Sequence, residues 1–222
     1  SVLLLFALSA IGQEAKTVYL FDIKEEIAAP VWRKTQKAMD EAHDLEVDAI
    51  VINMNTYGGA VDAADSIRTR LLHSKIPVYV LIENNAASAG ALISIACDSI
   101  FMKPGATIGA ATVVNQNGEV QAEKIQSYFR EKMRATAEFR NRDPDIAEAM
   151  VDADKVVEGV SEEGKIVTLS ASRAMELGFC EGEYTSNKEV LAHCGISDYT
   201  FVKQELTTID AIISWLINPA VS

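Results

Sequence analysis

Two short apolar runs, Ala49 to Met54 (AIVINM) and Pro77 to Ile82 (PVYVLI), restrict this chain more than any other feature. A strand that is apolar at successive positions buries both of its faces, which requires a sheet covered on both sides. The stretches around these runs have helical patterning. Pro30 to His43 carries Pro in its first turn and sets Val31, Ala38, Met39 and Ala42 among charges, and Val61 to Ser74 gathers Ile67, Leu71 and Leu72 on one side. With Thr17 to Lys24 (TVYLFDIK) as an earlier strand, the order is βαβαβ. The expected fold class is therefore α/β, a mainly parallel sheet covered by helices, with active groups in the loops beyond the carboxyl ends of the strands.

Composition narrows the function classes. The chain has 222 residues, 49% of them hydrophobic and 23% charged, with only 12 Gly and 5 Pro, which suits one globular domain and excludes a disordered tail, a collagen-like fibre or a disulfide-dense miniprotein. A formal charge of −12 argues against broad nucleic-acid binding, because a phosphate backbone demands clustered Lys and Arg. Cys97, Cys180 and Cys194 cannot all pair within one chain and have no metal-site spacing; a Cys180–Cys194 bridge is open, and Cys97 reads as a small buried hydrophobe. No metal cluster, phosphate loop or nucleotide fingerprint emerges, so no cofactor and no metal site is expected.

Both chain ends are apolar. Ser1 to Ala10 (SVLLLFALSA) resembles the apolar core and cleavage zone of a secretory signal, so residues 1–15 read as a signal remnant and export is expected. Residues 16–205 read as the main domain. Residues 206–222, which include Ile209 to Val221 (IDAIISWLINPAV), read either as a packed terminal helix or as the approach to a membrane region.

Two loops at strand ends carry unusual chemistry. After Ala49 to Met54 comes Asn55-Thr56-Tyr57-Gly58-Gly59-Ala60, whose paired glycines permit a close backbone approach to a ligand or, equally, a tight strand-to-helix turn. After Pro77 to Ile82 the chain runs through Ala86-Ala87-Ser88-Ala89-Gly90 into an apolar helix. Ser88, with small neighbours at the positive end of that helix, is the candidate nucleophile; its alternative is an N-cap. A serine hydroxyl needs a base. His43 and His73 fall at helix ends away from the strand carboxyl ends, and His193 lies in a late amphipathic stretch, so a Ser-His-Asp triad is disfavoured. A neutral lysine is the remaining option, and Lys124, opening the helix Lys124 to Arg142, is the best placed, with Lys132 as the fallback and a solvated surface lysine as the alternative.

The ordered set Asn55-Thr56-Tyr57-Gly58-Gly59, Ala86-Ala87-Ser88-Ala89-Gly90, Pro104-Gly105-Ala106-Thr107-Ile108-Gly109-Ala110 and Met133-Arg134-Ala135-Thr136-Ala137-Glu138, followed by Arg142-Asp143-Pro144, resembles the ClpP-class membrane serine proteases of the NfeD type. These are partners of stomatin-like proteins and relatives of signal peptide peptidase A, and the resemblance covers roughly Thr17 to Glu183. It implies a ClpP/crotonase-like fold and a Ser-Lys dyad, which falls on Ser88 and on Lys124 ahead of Tyr128-Phe129. It also implies an oxyanion hole from the amides of Gly58 and Gly59 with that of Ala89. Tyr57 stands where the family usually has Pro.

The function implied by the resemblance is that of an ATP-independent, membrane-associated endopeptidase, its protease domain extracytoplasmic, that cuts hydrophobic segments of protein partners such as stomatin-like membrane proteins. A homo-dimer or larger homo-oligomer is expected on the same ground. The alternative is a non-catalytic ClpP-like assembly module that binds a stomatin-like protein. Acyl-CoA chemistry on the related crotonase fold is weaker, having no use for a Ser-Lys pair. Gly109 to Glu123, with Asn115-Gln116-Asn117-Gly118 between apolar stretches, reads as a mobile hairpin or loop near the site.

Overall fold

The computed structural model describes residues 15–115 and 117–217. The signal-like run Ser1 to Ala10 lies outside the described residues. Strands β1 (Lys16–Ile23), β2 (Ala49–Thr56) and β3 (Val78–Ala87) form the parallel centre of one sheet, joined by helices α1 (Ala29–Asp44) and α2 (Val61–Leu72). The cause is visible residue by residue. Ile50, Ile52 and Met54 of β2 and Val78, Val80 and Ile82 of β3 enter the large core under the helices, while Ala49, Val51 and Leu81 point to smaller clusters on the opposite face. Helix α1 buries Val31, Thr35, Ala38, Met39 and Ala42, the stripe that its spacing foretells.

β3 is longer than its apolar run. Its first half pairs with β4 (Ser99–Met102), and its second half, Asn85 to Ala87, pairs with β5 (Thr107–Gly109), so one strand passes its edge from one partner to another. Between the halves the β2–β3 register slips, Met54 facing Ile82 but Thr56 facing Ala86. Such an irregularity bends a strand and re-aims its end. The end so aimed is Ser88, which leads helix α3 (Ala89–Ile95), buried along its whole length.

Helix α4 (Glu123–Phe139) lays Gln126, Phe129, Met133, Thr136 and Ala137 on the core. α5 (Pro144–Ala149), β6 (Thr168–Ser170), α6 (Ala171–Glu176) and β7 (Gly182–Glu183) come next, with β6 antiparallel to β5. The chain then closes with α7 (Asn187–His193) and β8 (Tyr199–Lys203), with β8 parallel to β1. Helix α8 (Thr208–Leu216) is held to α1 by a 2.6 Å ion pair between Lys37 and Asp210, and it leaves Ile209, Ile212, Trp215 and Leu216 exposed.

The far end of α3 has its own clamp. The last carbonyls of a helix lack intrahelical partners. Arg142, only 5% exposed, donates to the carbonyls of Ile95, Cys97, Asp98 and Phe179 and pairs with Glu181 at 2.9 Å. Arg140 reaches the Ala96 carbonyl. Both arginines come directly after α4, so the end of α4 is fastened to the end of the helix that Ser88 begins.

Candidate active site

The glycine loop leaves β2 in a conformation that other residues resist. Gly58 and Gly59 have φ angles of +114° and +149°. A Cβ at Gly59 would collide with the Ile27 carbonyl oxygen, and one at Gly58 would lie 2.7 Å from Ser88 Cβ and 3.1 Å from Ser88 Oγ. The paired glycines therefore make the tight strand-to-helix turn, and they also bring the backbone close to Ser88. Three hydrogen bonds fix the loop: Gly58 N–H donates to Thr56 Oγ1 at 3.2 Å, Ile27 N–H to the Gly58 carbonyl at 2.8 Å, and Ala60 N–H to the Ile27 carbonyl at 2.7 Å. Gly59 N–H has no partner among the described residues.

Ser88 stands at a sharp strand-to-helix turn with φ +54° and ψ −118°. Its N–H donates to the Gly109 carbonyl at 2.9 Å, and its carbonyl accepts from Ala91 N–H at 2.9 Å, but its hydroxyl makes no capping bond. A left-handed φ at a non-glycine residue costs about 1–3 kcal/mol and survives only where surrounding structure enforces it. The N-cap alternative thus lacks its defining contact, and the half-buried serine sits on a sharp strand-to-helix elbow with its hydroxyl uncommitted. Ala89 N–H, in the first helical position, also has no acceptor among the described residues.

Ser88, Ala89, Gly59 and Tyr57 line one cavity of about 850 Å³. Its other walls come from the Glu26–Ala28 loop, from Val61, and from apolar groups of later segments, among them Val113, Ile125 and Phe129. Among the described residues, Glu26 is its only charged lining residue. The region from Gly109 onward includes the hairpin that its sequence suggests, with Val114 bridged antiparallel to Val120 and Asn115 N–H donating to the Glu119 carbonyl at 2.8 Å.

The lysines are placed differently from the serine. Lys124 occupies the first turn of α4, as its sequence position implies, but its side chain is exposed and does not line the cavity; the adjacent Ile125 does. Lys132, the fallback, is paired with Asp65 at 3.1 Å and lies 5.1 Å from the centre of the Tyr128 ring. Partial burial pulls its pKa down, but bonding to Asp65 and Tyr128 outweighs this and holds it above the ordinary lysine value. It is a structural cation. No histidine among the described residues lines the cavity.

The three cysteines are free, so the Cys180–Cys194 bridge is not formed. Cys97 is fully buried, and desolvation pushes its thiol up to about 12, as suits a small core hydrophobe. Among the described residues no cluster of three or more His, Cys, Asp or Glu could hold a metal, and no helix is long and apolar enough to cross a membrane. Sequence reasoning missed Thr56 and the Glu26–Ala28 loop, neither of which differs in composition from ordinary strand-end residues.

The family model described as NfeD1b, N-terminal domain, matches residues 17–204. The membrane protein NfeD1b of Bacillus subtilis is 30% identical over 224 residues, covering 98% of this chain and 51% of that protein. The membrane-bound protease PH1510 of Pyrococcus horikoshii is 32% identical over 145 residues, covering 62% of this chain and 33% of that protein. The chain thus spans about half the length of the first relative and a third of the second. Among solved structures, a lysine-to-alanine mutant of the 1510-N membrane-bound stomatin-specific protease, in complex with a substrate peptide, superposes with a TM-score of 0.78 at 24% identity over 92% of this chain and 99% of that one. A serine-to-alanine mutant of the same protease gives 0.75 at 24% identity over 88% and 100%. These likenesses establish the ClpP-like α/β fold expected from the sequence.

Proposed function

The chain belongs to the NfeD1b N-terminal domain family, and on that premise we propose that it is the catalytic domain of an ATP-independent, membrane-associated serine endopeptidase that cuts hydrophobic segments of proteins such as stomatin-like partners. The observation that carries the proposal is the strained Ser88 elbow, which lines one mainly apolar cavity together with Gly59 and Ala89, whose amides have no partner among the described residues. A relative described as a stomatin-specific protease, solved with a substrate peptide, supports the substrate class.

In this mechanism an extended peptide enters the cavity with its scissile carbonyl over Ser88. Neutral Lys124 Nζ takes the hydroxyl proton as Oγ attacks the carbonyl carbon, and the negative charge on the carbonyl oxygen falls to Gly59 and Ala89 N–H. Gly58 keeps its bond to Thr56 and serves as scaffold. The lysine ammonium returns the proton to the leaving amine, and the acyl-enzyme is hydrolysed by a water that the same lysine activates. The exposed Lys124 reaches Ser88 through an inward shift of the first turn of α4, which substrate stabilises by packing on Ile125. The domain lies outside the cytoplasm, its residues 206–222 lead toward a membrane region, and it works as a homo-dimer or larger homo-oligomer.

The test incubates the purified chain with hydrophobic peptides, alongside Ser88→Ala and Lys124→Ala. The parent cleaves, and each variant loses about a thousandfold or more. Equal cleavage by all three proteins overturns the dyad, and full activity of Lys124→Ala alone removes Lys124 from the role of base. The solvent-facing position of Lys124 favours one other reading, a non-catalytic module that binds a stomatin-like protein; peptide binding without turnover under every condition would establish it.

A further inference from the structure

We propose that Thr56 is the positioning residue of the oxyanion hole, setting the spacing between the Gly59 and Ala89 amides. The inference deepens the peptidase reading above and rests on it for its kinetic consequence. Thr56, 2% exposed, sits at the last position of β2 and touches both sides of the hole. Its hydroxyl donates to the Glu25 carbonyl at 2.8 Å and accepts from Gly58 N–H at 3.2 Å. Its methyl group lies against α3: a Cβ added at Gly90 would come within 2.7 Å of Thr56 Cγ2.

A hydroxyl has one proton to give and lone pairs to accept with, and here the donation and the acceptance point to two different segments. The donation ties β2 to the loop after β1. The acceptance fixes the plane of the Gly58 amide, and the Ile27 bridge fixes the bonds on either side of Gly59, whose N–H is left without a partner among the described residues in the cavity that Ser88 also lines. The methyl contact sets how closely α3, and with it Ala89 N–H, approaches the glycine loop. A misplacement of donors by a fraction of an ångström weakens charge stabilisation where it develops, in the transition state, and leaves ground-state binding alone.

The test separates hydroxyl from methyl. Thr56→Val keeps the packing and removes the hydroxyl; Thr56→Ser keeps the hydroxyl. Peptide turnover by Thr56→Val should fall roughly a hundredfold in kcat with KM within about twofold of the parent, and Thr56→Ser should stay within about tenfold in kcat. Amide exchange at Gly58, tracked by NMR, should quicken about tenfold in Thr56→Val and remain near the parent rate in Thr56→Ser. A parental kcat in Thr56→Val, a loss confined to KM, or unchanged Gly58 exchange overturns the inference. If Thr56→Val does not fold, Thr56→Ser is compared with Thr56→Ala, and equal kcat values overturn it. The exchange measurement needs no catalysis. A parent no more active than Ser88→Ala therefore sinks the peptidase reading alone, whereas unchanged Gly58 exchange sinks the role of Thr56 alone.

Discussion

At the scale of single residues, Ser88 holds backbone strain that its own chemistry does not explain. Its φ and ψ, +54° and −118°, are the mirror image of an ordinary extended conformation, which glycine adopts without penalty. Ser88→Gly should therefore raise stability by about 1 kcal/mol, or the melting temperature by roughly 2–4 °C in a chain of this length, while abolishing turnover. Ser88→Ala retains the Cβ and should melt with the parent. Calorimetry on the three proteins checks this, and a Ser88→Gly melt at or below that of the parent would show the elbow to be unstrained. Ser88 and the glycine pair stood out in the sequence as small residues at the carboxyl ends of buried strands, but an N-cap and a tight turn were equally open uses of them, and only the family resemblance pointed to chemistry. Thr56 did not stand out, since a threonine ending a strand is ordinary until the partners of its hydroxyl are seen. For Lys124 the sequence located the helix turn, but helical periodicity says nothing about the lean of a first turn that contains Glu123, Lys124 and Ile125 together.

At the scale of elements, legibility tracked length and burial. β2, α1 and α2 appeared near their observed limits because their apolar patterns are long. β4, β5 and β7, of four, three and two residues, carry too little pattern to register. β3 extends past its apolar run through Glu83, Asn84 and Asn85, which read as loop by composition; from Asn85 onward β5 supplies the ladder that keeps the chain extended. The α3–α4 clamp was invisible for a different reason: Arg142 acts on carbonyls, which leave no trace in side-chain identity. Arg142→Met should lower unfolding free energy by about 3–5 kcal/mol, because Glu181 loses the cation paired with it and the carbonyls of Ile95, Cys97 and Phe179 lose their donor. Urea titration measures the loss, and a change below about 1 kcal/mol would mean that water replaces the guanidinium freely.

At the scale of the whole molecule, the two halves of β3 rest on unequal support. Upstream lie the broad parallel pairings with β2 and β4. Downstream, Ser88 takes its amide bond from Gly109 at the tip of the three-residue β5, itself backed by the three-residue β6. Ladders of three residues hold fewer backbone hydrogen bonds than the long pairings upstream, and such regions open at lower free energy than the body of the fold. On gradual heating, the proposed peptidase activity should disappear several degrees below the midpoint of the far-ultraviolet circular dichroism transition, and return on cooling. Coincident midpoints would show a single cooperative unit. The handover from β4 to β5 thus makes the Ser88 elbow a fuse: mild warmth, or any neighbouring chain that pulls on β5 or β6, would undo the pose of the proposed nucleophile while the scaffold stays folded and ready to be re-armed.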